Sequence, residues 1–479
     1  MWWLLWAVPL AALCLFLLIL TVRACRFRPL PECAADDTPA AFDAERATET
    51  LAALVRCKTV SYRDHTLEDD AEFEKLITSL PTLYPHVAEA TTMERLPDRA
   101  LLFHWRGKEG GAPTVLMAHY DVVPVREEDW QVDPFAAVLR DGCLWGRGTL
   151  DTKVTMNGIL FAADTLIAEG FVPKCDVYFA FSGGEEIGGD GAKHIVDRFA
   201  ERGIEPALVL DEGGAVVEGV FPGVGVPCGL IGIAEKGMMD VCYTARSTGG
   251  HASAPKPNAP VDRLCAACTR VLKKPPKAHL TAPAAKMFDT LGRHSSFLYR
   301  LIFSNLGVFL PVLDLLCKKS GGELNALMRT TVAFTQMQGS SAANVIPPEA
   351  SLVSNIRLNP ADDMDTTLAY LGERVGEGVE LSLIAGMNPS RISTTEGEGY
   401  DRVAAAVRAT WRGCIVSPYL MVQCSDSRHW GRISDRVYRF SAMDLTSAER
   451  ATIHGTDERI RLDTLARSVE FFLRLIRSC

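Results

Sequence analysis

The sequence predicts an α/β fold: a mixed sheet with helices on both faces, interrupted by an inserted α+β domain and preceded by a transmembrane helix. Three observations predict it. Short apolar runs alternate with helical periods from about residue 46 onward. That texture changes between 234 and 359 and then resumes. Residues 2–22 form an uncharged apolar run, followed by Arg23, Arg26 and Arg28. A chain of 479 residues also exceeds what one compact core normally holds, so two domains are expected.

The elements come in order. An apolar helix of about 20 residues spans a bilayer. A cleaved signal carries its positive charge before the apolar run, whereas here the charge comes after it. Residues 2–22 therefore read as a retained anchor, and 23–45, with Pro29, Pro31 and Pro39, as a linker. The chain is expected at a membrane of the secretory pathway or cell envelope, and secreted if the segment is cleaved. The arginines favour the cytoplasmic side for the segment after the helix.

Residues 44–55 carry an amphipathic helical period, and 113–118, 177–181 and 207–210 read as buried strands. Helical patterns at 156–169 and 192–202 separate them, the signature of a mostly parallel sheet. The main domain thus comprises 46–233 and 360–479, closing on an amphipathic helix at 462–476. The inserted domain, 234–359, sets strands at 238–244 and 349–357 around a helix at 261–272. Within it, 297–317 is apolar enough to suggest a second membrane span. Arg300, Asn305, Pro311 and Asp314 interrupt it, and mid-bilayer charge is costly, so a buried or groove-lining helix pair is expected.

A formal net charge of -9 with scattered Lys and Arg argues against nucleic acid as a partner. Fourteen cysteines are thinly spread. The one CxxC pair, Cys265 and Cys268, lacks the second pair a structural zinc site needs, so both read as small buried hydrophobes.

Chemistry concentrates in a few clusters. His119, with Asp121 two residues on, follows a strand; in open α/β sheets sites form at the C-terminal ends of strands. His119 can ligate a metal while Asp121 fixes its tautomer, although a histidine capping a turn is the plainer reading of that motif alone. Asp151 follows Gly146 and Gly148, and one carboxylate can bridge two cations; a helix cap is equally plausible there. Glu185 and Glu186 stand side by side at a strand end among glycines, where like charges repel unless a cation is present or water solvates them. Asp211 and Glu212 lie on a third strand, and His454 comes late in the chain. Two histidines and several carboxylates suit zinc.

These motifs resemble the aminoacylase and carboxypeptidase S family of two-zinc metallopeptidases, from about residue 45 to the C-terminus. The HxDVVP, GRGTLD, EE, DEGG, GGHASAP and NVIPP stretches are most similar to its N-acyl-amino-acid amidohydrolase branch. The resemblance implies a zinc-peptidase-like sheet with a ferredoxin-like inserted lid, and two zinc ions per subunit. His119 would hold one zinc and His454 the other, with Asp151 bridging and Glu186 joining His454. The remaining ligand falls on Asp211 or Glu212, with Asp211 favoured. Glu185 would be the general base, Asp121 the residue that orients His119, and His251 the stabiliser of the oxyanion. Asn344 and Arg357 would hold the substrate carboxylate; the plainer readings are a turn cap for His251 and an edge ion pair for Arg357. The peptide after Asp151 would be cis, and the 426–429 stretch would line the pocket.

The family's activity implies hydrolysis, or reverse synthesis, of an N-acyl amino acid bearing a free carboxylate. The alternatives are a carboxypeptidase or dipeptidase on small peptides, and an inactive membrane-tethered binding protein. A homodimer through the inserted domain is a further expectation. Two departures stand out: Thr152 occupies a position where many relatives have Asp, and the apolar insertion exceeds a minimal lid.

Overall fold

The computed structural model describes residues 2–31, 38, 40–219 and 221–479, with side chains from residue 6 onward. An eight-stranded mixed sheet forms the main domain, in the order Thr91–Leu96, Ala100–Trp105, Val177–Ser182, Thr114–His119, Leu208–Val217, Val437–Leu445, Cys228–Glu235, Ile415–Met421. Its centre is parallel: Thr114–His119 pairs in parallel with both Val177–Ser182 and Leu208–Val217, and the latter in parallel with Val437–Leu445.

Period-two alternation divides these strands between two cores. Leu116, Ala118, Phe179 and Phe181 face the helices Lys153–Ala168 and Leu462–Arg477, whereas Val115, Met117, Tyr178 and Ala180 face Ile195 and Phe199 of Gly191–Glu201. Both faces are covered, so the strands read as continuous apolar runs rather than alternating ones. Complete burial of each Leu or Phe contributes about 1.5–3 kcal/mol.

The inserted domain is a four-stranded antiparallel sheet in the order Thr331–Gln338, Glu349–Leu358, Gly237–Arg246, Val379–Met387, with helices Pro260–Lys273 and Met364–Val375 packed through Leu264, Val271, Leu371 and Val375. The boundary expected at 359 needs correction. Val379–Met387 pairs with Gly237–Arg246, so the domain runs to 387. Most of that edge strand is exposed, which left its sequence without a pattern tying it to the inserted sheet.

Between Pro260–Lys273 and Thr331–Gln338 the chain inserts four helices, Ala282–His294, Phe297–Phe303, Leu306–Ser320 and Gly322–Met328. They pack against Ile415–Met421 of the main sheet through Met287, Phe288, Leu291, Phe303 and Cys317. The apolar stretch is thus the expected helix pair, bent by 105° at Ser304–Asn305. It is not simply buried, since one face is exposed.

The N-terminal helix Trp2–Arg26 carries a stretch, Trp6–Arg26, of mean hydropathy 2.3, long and apolar enough to cross a membrane. The helix runs four residues into the expected linker, whose residues 32–37 and 39 lie outside the described residues. Cys265 is exposed and Cys268 only half-buried, which corrects the expectation of two buried hydrophobes.

Candidate metal centre

Parallel pairing of Thr114–His119 with its two neighbours brings two chemistry-bearing strand ends and the middle of a third strand together. His119 is the last residue of its strand. Glu185 and Glu186 follow Val177–Ser182 on a single 3-10 turn, and Asp211 and Glu212 lie within Leu208–Val217. Asp151 precedes the helix Lys153–Ala168, and the peptide between Asp151 and Thr152 is cis.

Asp151 joins the two halves of the cluster. Its Oδ1 lies 3.0 Å from His119 Nε2, and its Oδ2 lies 3.0 Å from His454 Nε2. Glu212 Oε1 stands 3.5 Å from His119 Nε2, while Glu186 Oε2 stands 3.0 Å from His454 Nε2. Two groups of potential ligands result, His119–Asp151–Glu212 and Asp151–Glu186–His454, sharing Asp151.

Asp121 is fully buried beneath this cluster. Its backbone carbonyl lies 3.0 Å and its Oδ1 3.3 Å from His119 Nδ1, which leaves Nε2 to face the cluster. The same carboxylate accepts from the backbone N–H groups of Glu185 at 3.1 Å and Glu186 at 3.2 Å, and from Ser61 Oγ at 2.6 Å. It therefore holds the glutamate turn as well as the histidine.

The charges are out of balance without a cation. Burial raises the carboxyls of Glu185 and Glu186, and pushes Glu212 up to about 8 with Asp151 adding repulsion. Hydrogen bonds to Asp151 and Glu186 push His454 up to about 10. Burial opposes protonation of His119, but the negative charge of Glu212 and its bonds to Asp121 and Asp151 hold it well above the usual histidine range. Metal ligation requires neutral histidine and ionised carboxylate, so bound divalent cations would offset these shifts. The donor set of imidazole nitrogens and carboxylate oxygens fits such cations.

Of the adjacent acids, Glu212 and not Asp211 faces His119, contrary to the preference drawn from the sequence. Successive side chains on a strand point to opposite faces, and Asp211 instead accepts from Ser427 N at 2.9 Å. Asp426 accepts from Ser182 Oγ at 2.5 Å and is pushed up to about 7 by burial. The 426–429 stretch thus packs behind the cluster, and none of its residues is among those lining the cavity.

A cavity of about 720 Å³ opens from Asp151, Glu185, Glu186, Glu212 and His454. Its lining also includes the apolar Ala215, Val217, Leu230, Ala326, Met421 and Val422, together with Glu323, Gln423, Ser441 and Arg450. Arg357 Nη1 lies 3.3 Å from the sulfur of Cys424, a cavity residue, but Arg357 is not itself among the residues lining the cavity. His251 and Asn344 are not brought to the cavity of this chain. They sit on an exposed ribbon in which Gly250–His251 pairs with Val345–Ile346, where His251 Nδ1 accepts from Ser253 N at 3.1 Å and Asn344 O accepts from Ala252 N at 3.0 Å.

Two supporting residues carried no separate signal in the sequence. Glu458 is fully buried and accepts from Arg147 Nη1 at 2.6 Å and from the backbone N–H groups of Gly148 and Leu150 at 3.1 and 2.7 Å. Its place four residues after His454 was the only available hint. Ser61 had none, because its partner Asp121 lies 60 residues away.

A family model, described as peptidase family M20/M25/M40, matches residues 115–478. The chain belongs to this family. As an M20 protein it is a metal-dependent amidohydrolase or metallopeptidase. Over 482 residues it is 31% identical to "Probable carboxypeptidase S-like 2" of Dictyostelium discoideum, covering 98% of this chain and 92% of that protein. It is 33% identical over 443 residues to "N-fatty-acyl-amino acid synthase/hydrolase PM20D1" of Xenopus tropicalis, covering 91% and 86%. The M20 fold is shared with human carnosine dipeptidase 1, at TM-score 0.64 and 14% identity over 92% of this chain and 99% of that one. It is shared likewise with the metallo-carboxypeptidase Sso-CP2 from Sulfolobus solfataricus, at TM-score 0.65 and 16% identity over 90% and 98%.

Proposed function

We propose that this M20 protein is a two-zinc hydrolase of N-acyl amino acids with a free carboxylate, favouring long acyl chains and able to run toward synthesis. One observation carries the reading: the cavity that opens from the histidine–carboxylate cluster is also lined by the apolar side chains of Val217, Leu230, Met421 and Val422. An amide held at the cluster lets an acyl chain lie against these apolar side chains, where each buried CH₂ contributes about 0.8 kcal/mol. The similarity to a relative named for N-fatty-acyl amino acids points the same way.

His119, Asp151 and Glu212 would hold one zinc, and Asp151, Glu186 and His454 the other. When bound, zinc supplies Lewis acidity to the scissile carbonyl and to a water molecule. Glu185 takes the proton of the attacking water and returns it to the leaving amine. Glu185 lines the cavity beside Asp151, Glu186, Glu212 and His454, where such a proton carrier is needed. Asp121 keeps His119 and the Glu185–Glu186 turn in register. Arg357 takes the substrate carboxylate through its planar fork. His251 and Asn344 reach the substrate from a second copy, in a homodimer formed through the inserted domain. The N-terminal helix is a retained single-pass anchor.

A second reading, carboxypeptidase or dipeptidase activity, draws on Glu323. This cavity residue accepts from Tyr419 Oη at 2.9 Å and would suit a free amino group. A panel of N-acyl amino acids of increasing chain length, run beside dipeptides and with a chelator, separates the two. Rates rising with chain length, lost to chelation and restored by zinc, are expected. Preference for acetyl substrates or dipeptides would reject long-chain specificity. Hydrolysis of none of them would favour the third alternative, a tethered binding protein.

A further inference from the structure

The bent helix pair has a surface its position in the fold does not explain. Leu306–Ser320 turns Asp314 and Cys317 inward, Asp314 pairing with the buried Arg329 and with Lys318 at 2.7 Å. Its opposite face carries Val308, Val312, Leu315 and Leu316, all exposed. Spacings of four, three and one residues place these four on one stripe of the helix. A helix on a water-covered surface has a polar outer face; this one is apolar there. Leu298, on Phe297–Phe303, is likewise 66% exposed.

The N-terminal helix indicates what covers this face. It meets the folded body near its C-terminal end, where Leu20 and Ala24 are buried and Asn305 Nδ2 donates to Leu20 O at 3.2 Å. Asn305 lies at the bend of the pair. Farther out, the same helix exposes Leu10, Leu13, Phe16 and Leu17. The point where a membrane-crossing helix leaves the bilayer is therefore also the point at which the bent pair is attached. Lys318 and Lys319 close the second helix, and Arg23 and Arg26 close the first, in the positions basic residues take at headgroup level.

We infer that Phe297–Phe303 and Leu306–Ser320 form a membrane-seated platform beside the N-terminal helix, holding the pocket at the lipid surface. The next helix along the chain, Gly322–Met328, contributes Gly322, Glu323 and Ala326 to the pocket wall. An acyl chain dissolved in the adjoining leaflet thus has its binding site next to the surface from which it comes. The inference rests on the proposed anchor and the proposed long-chain specificity.

The test uses the full-length chain in phospholipid vesicles that contain a diazirine-bearing acyl chain, with adducts mapped by mass spectrometry after illumination. Adducts within 297–316 as well as within 6–22 are expected. Adducts confined to 6–22, or absent from both, would overturn the platform. Hydrolysis is not read in this arm, so failure of the substrate assignment leaves the adduct map just as decisive. A variant carrying Leu298→Glu and Leu315→Glu, both at exposed positions, provides the functional arm. It should lose adducts in 297–316 and cleave vesicle-borne long-chain substrate roughly tenfold more slowly, because a charge placed in lipid is costly. A water-soluble short-chain substrate should be cleaved at the parental rate. Unchanged adducts and unchanged vesicle rates in this variant would also overturn the proposal.

Discussion

Glu458 and Arg147 form a fully buried ion pair, 2.6 Å apart, that ties the loop bearing His454 to the loop bearing Asp151. Gly148 N and Leu150 N donate to the same carboxylate, so one side chain organises the approach to the bridging position. Removing one partner of a buried pair strands the other charge, at a cost of about 3–5 kcal/mol. Arg147→Met should lower the unfolding free energy by roughly that amount and weaken metal binding about 10–100-fold, as loss of supporting residues does elsewhere. Denaturant melts and metal titration measure both. Unchanged metal affinity would show that the pair supports the fold alone.

Glu185→Gln preserves shape and the backbone bonds to Asp121 but removes the proton carrier. Turnover should fall by about 10²–10⁴-fold, the usual contribution of a general base. Zinc content by mass spectrometry should stay at the parental value. Parental turnover would reject the assignment.

The two adjacent acids should separate cleanly. Glu212→Ala removes a potential ligand beside His119, so the purified protein should lose about half of its bound metal. Asp211→Asn alters the acceptor of Ser427 N and should keep its metal while losing stability by about 1–3 kcal/mol. Metal stoichiometry of the two variants decides it, and the reverse pattern would return the ligand role to Asp211.

Lys236 supplies a pH test away from the metal cluster. Burial, aided by the nearby positive charge of Arg357, lowers its ammonium to about 7, and its Nζ donates to the carbonyls of Ala326 and Arg329 at 2.9 and 2.8 Å. A lysine with a depressed folded value is proton-poor relative to the unfolded chain, so stability rises with pH between about 7 and the unfolded value near 10.4. Below about 7 the lysine is protonated in both states, and its contribution levels off at the lower value. Lys236→Met should lack that rise, and denaturation midpoints from pH 6 to 9.5 should converge or cross relative to the parent. Parallel curves would refute the account.

The sheet and the cluster differ in how legible they were. Buried strands such as Thr114–His119 and Val177–Ser182 announce themselves as apolar runs ending in His119 and in the Glu185–Glu186 pair, because both faces of the sheet are covered and the ends carry the polar groups. The amphipathic helices Ala44–Val55 and Leu462–Arg477 were legible for the complementary reason, a buried stripe beside a wet one. Val379–Met387 was not assigned to the inserted sheet, because an exposed edge strand need not alternate and its partner, Gly237–Arg246, is more than a hundred residues earlier.

By itself the sequence determined which residue types were available, the periodicity of each helix and strand, and the order of motifs that marks the family. Only the tertiary structure decided which neighbour faced inward. Strand pairing turned Glu212 toward His119 and Asp211 toward Ser427, a choice the chain's local pattern leaves open. It also decided that Asp121 holds two segments rather than one, that Glu458 stands behind Asp151, and that the apolar helix pair meets the N-terminal helix at Asn305. The physical reason is common to all of these. Periodicity along a chain sets which face a side chain takes, but long-range pairing sets what lies opposite that face.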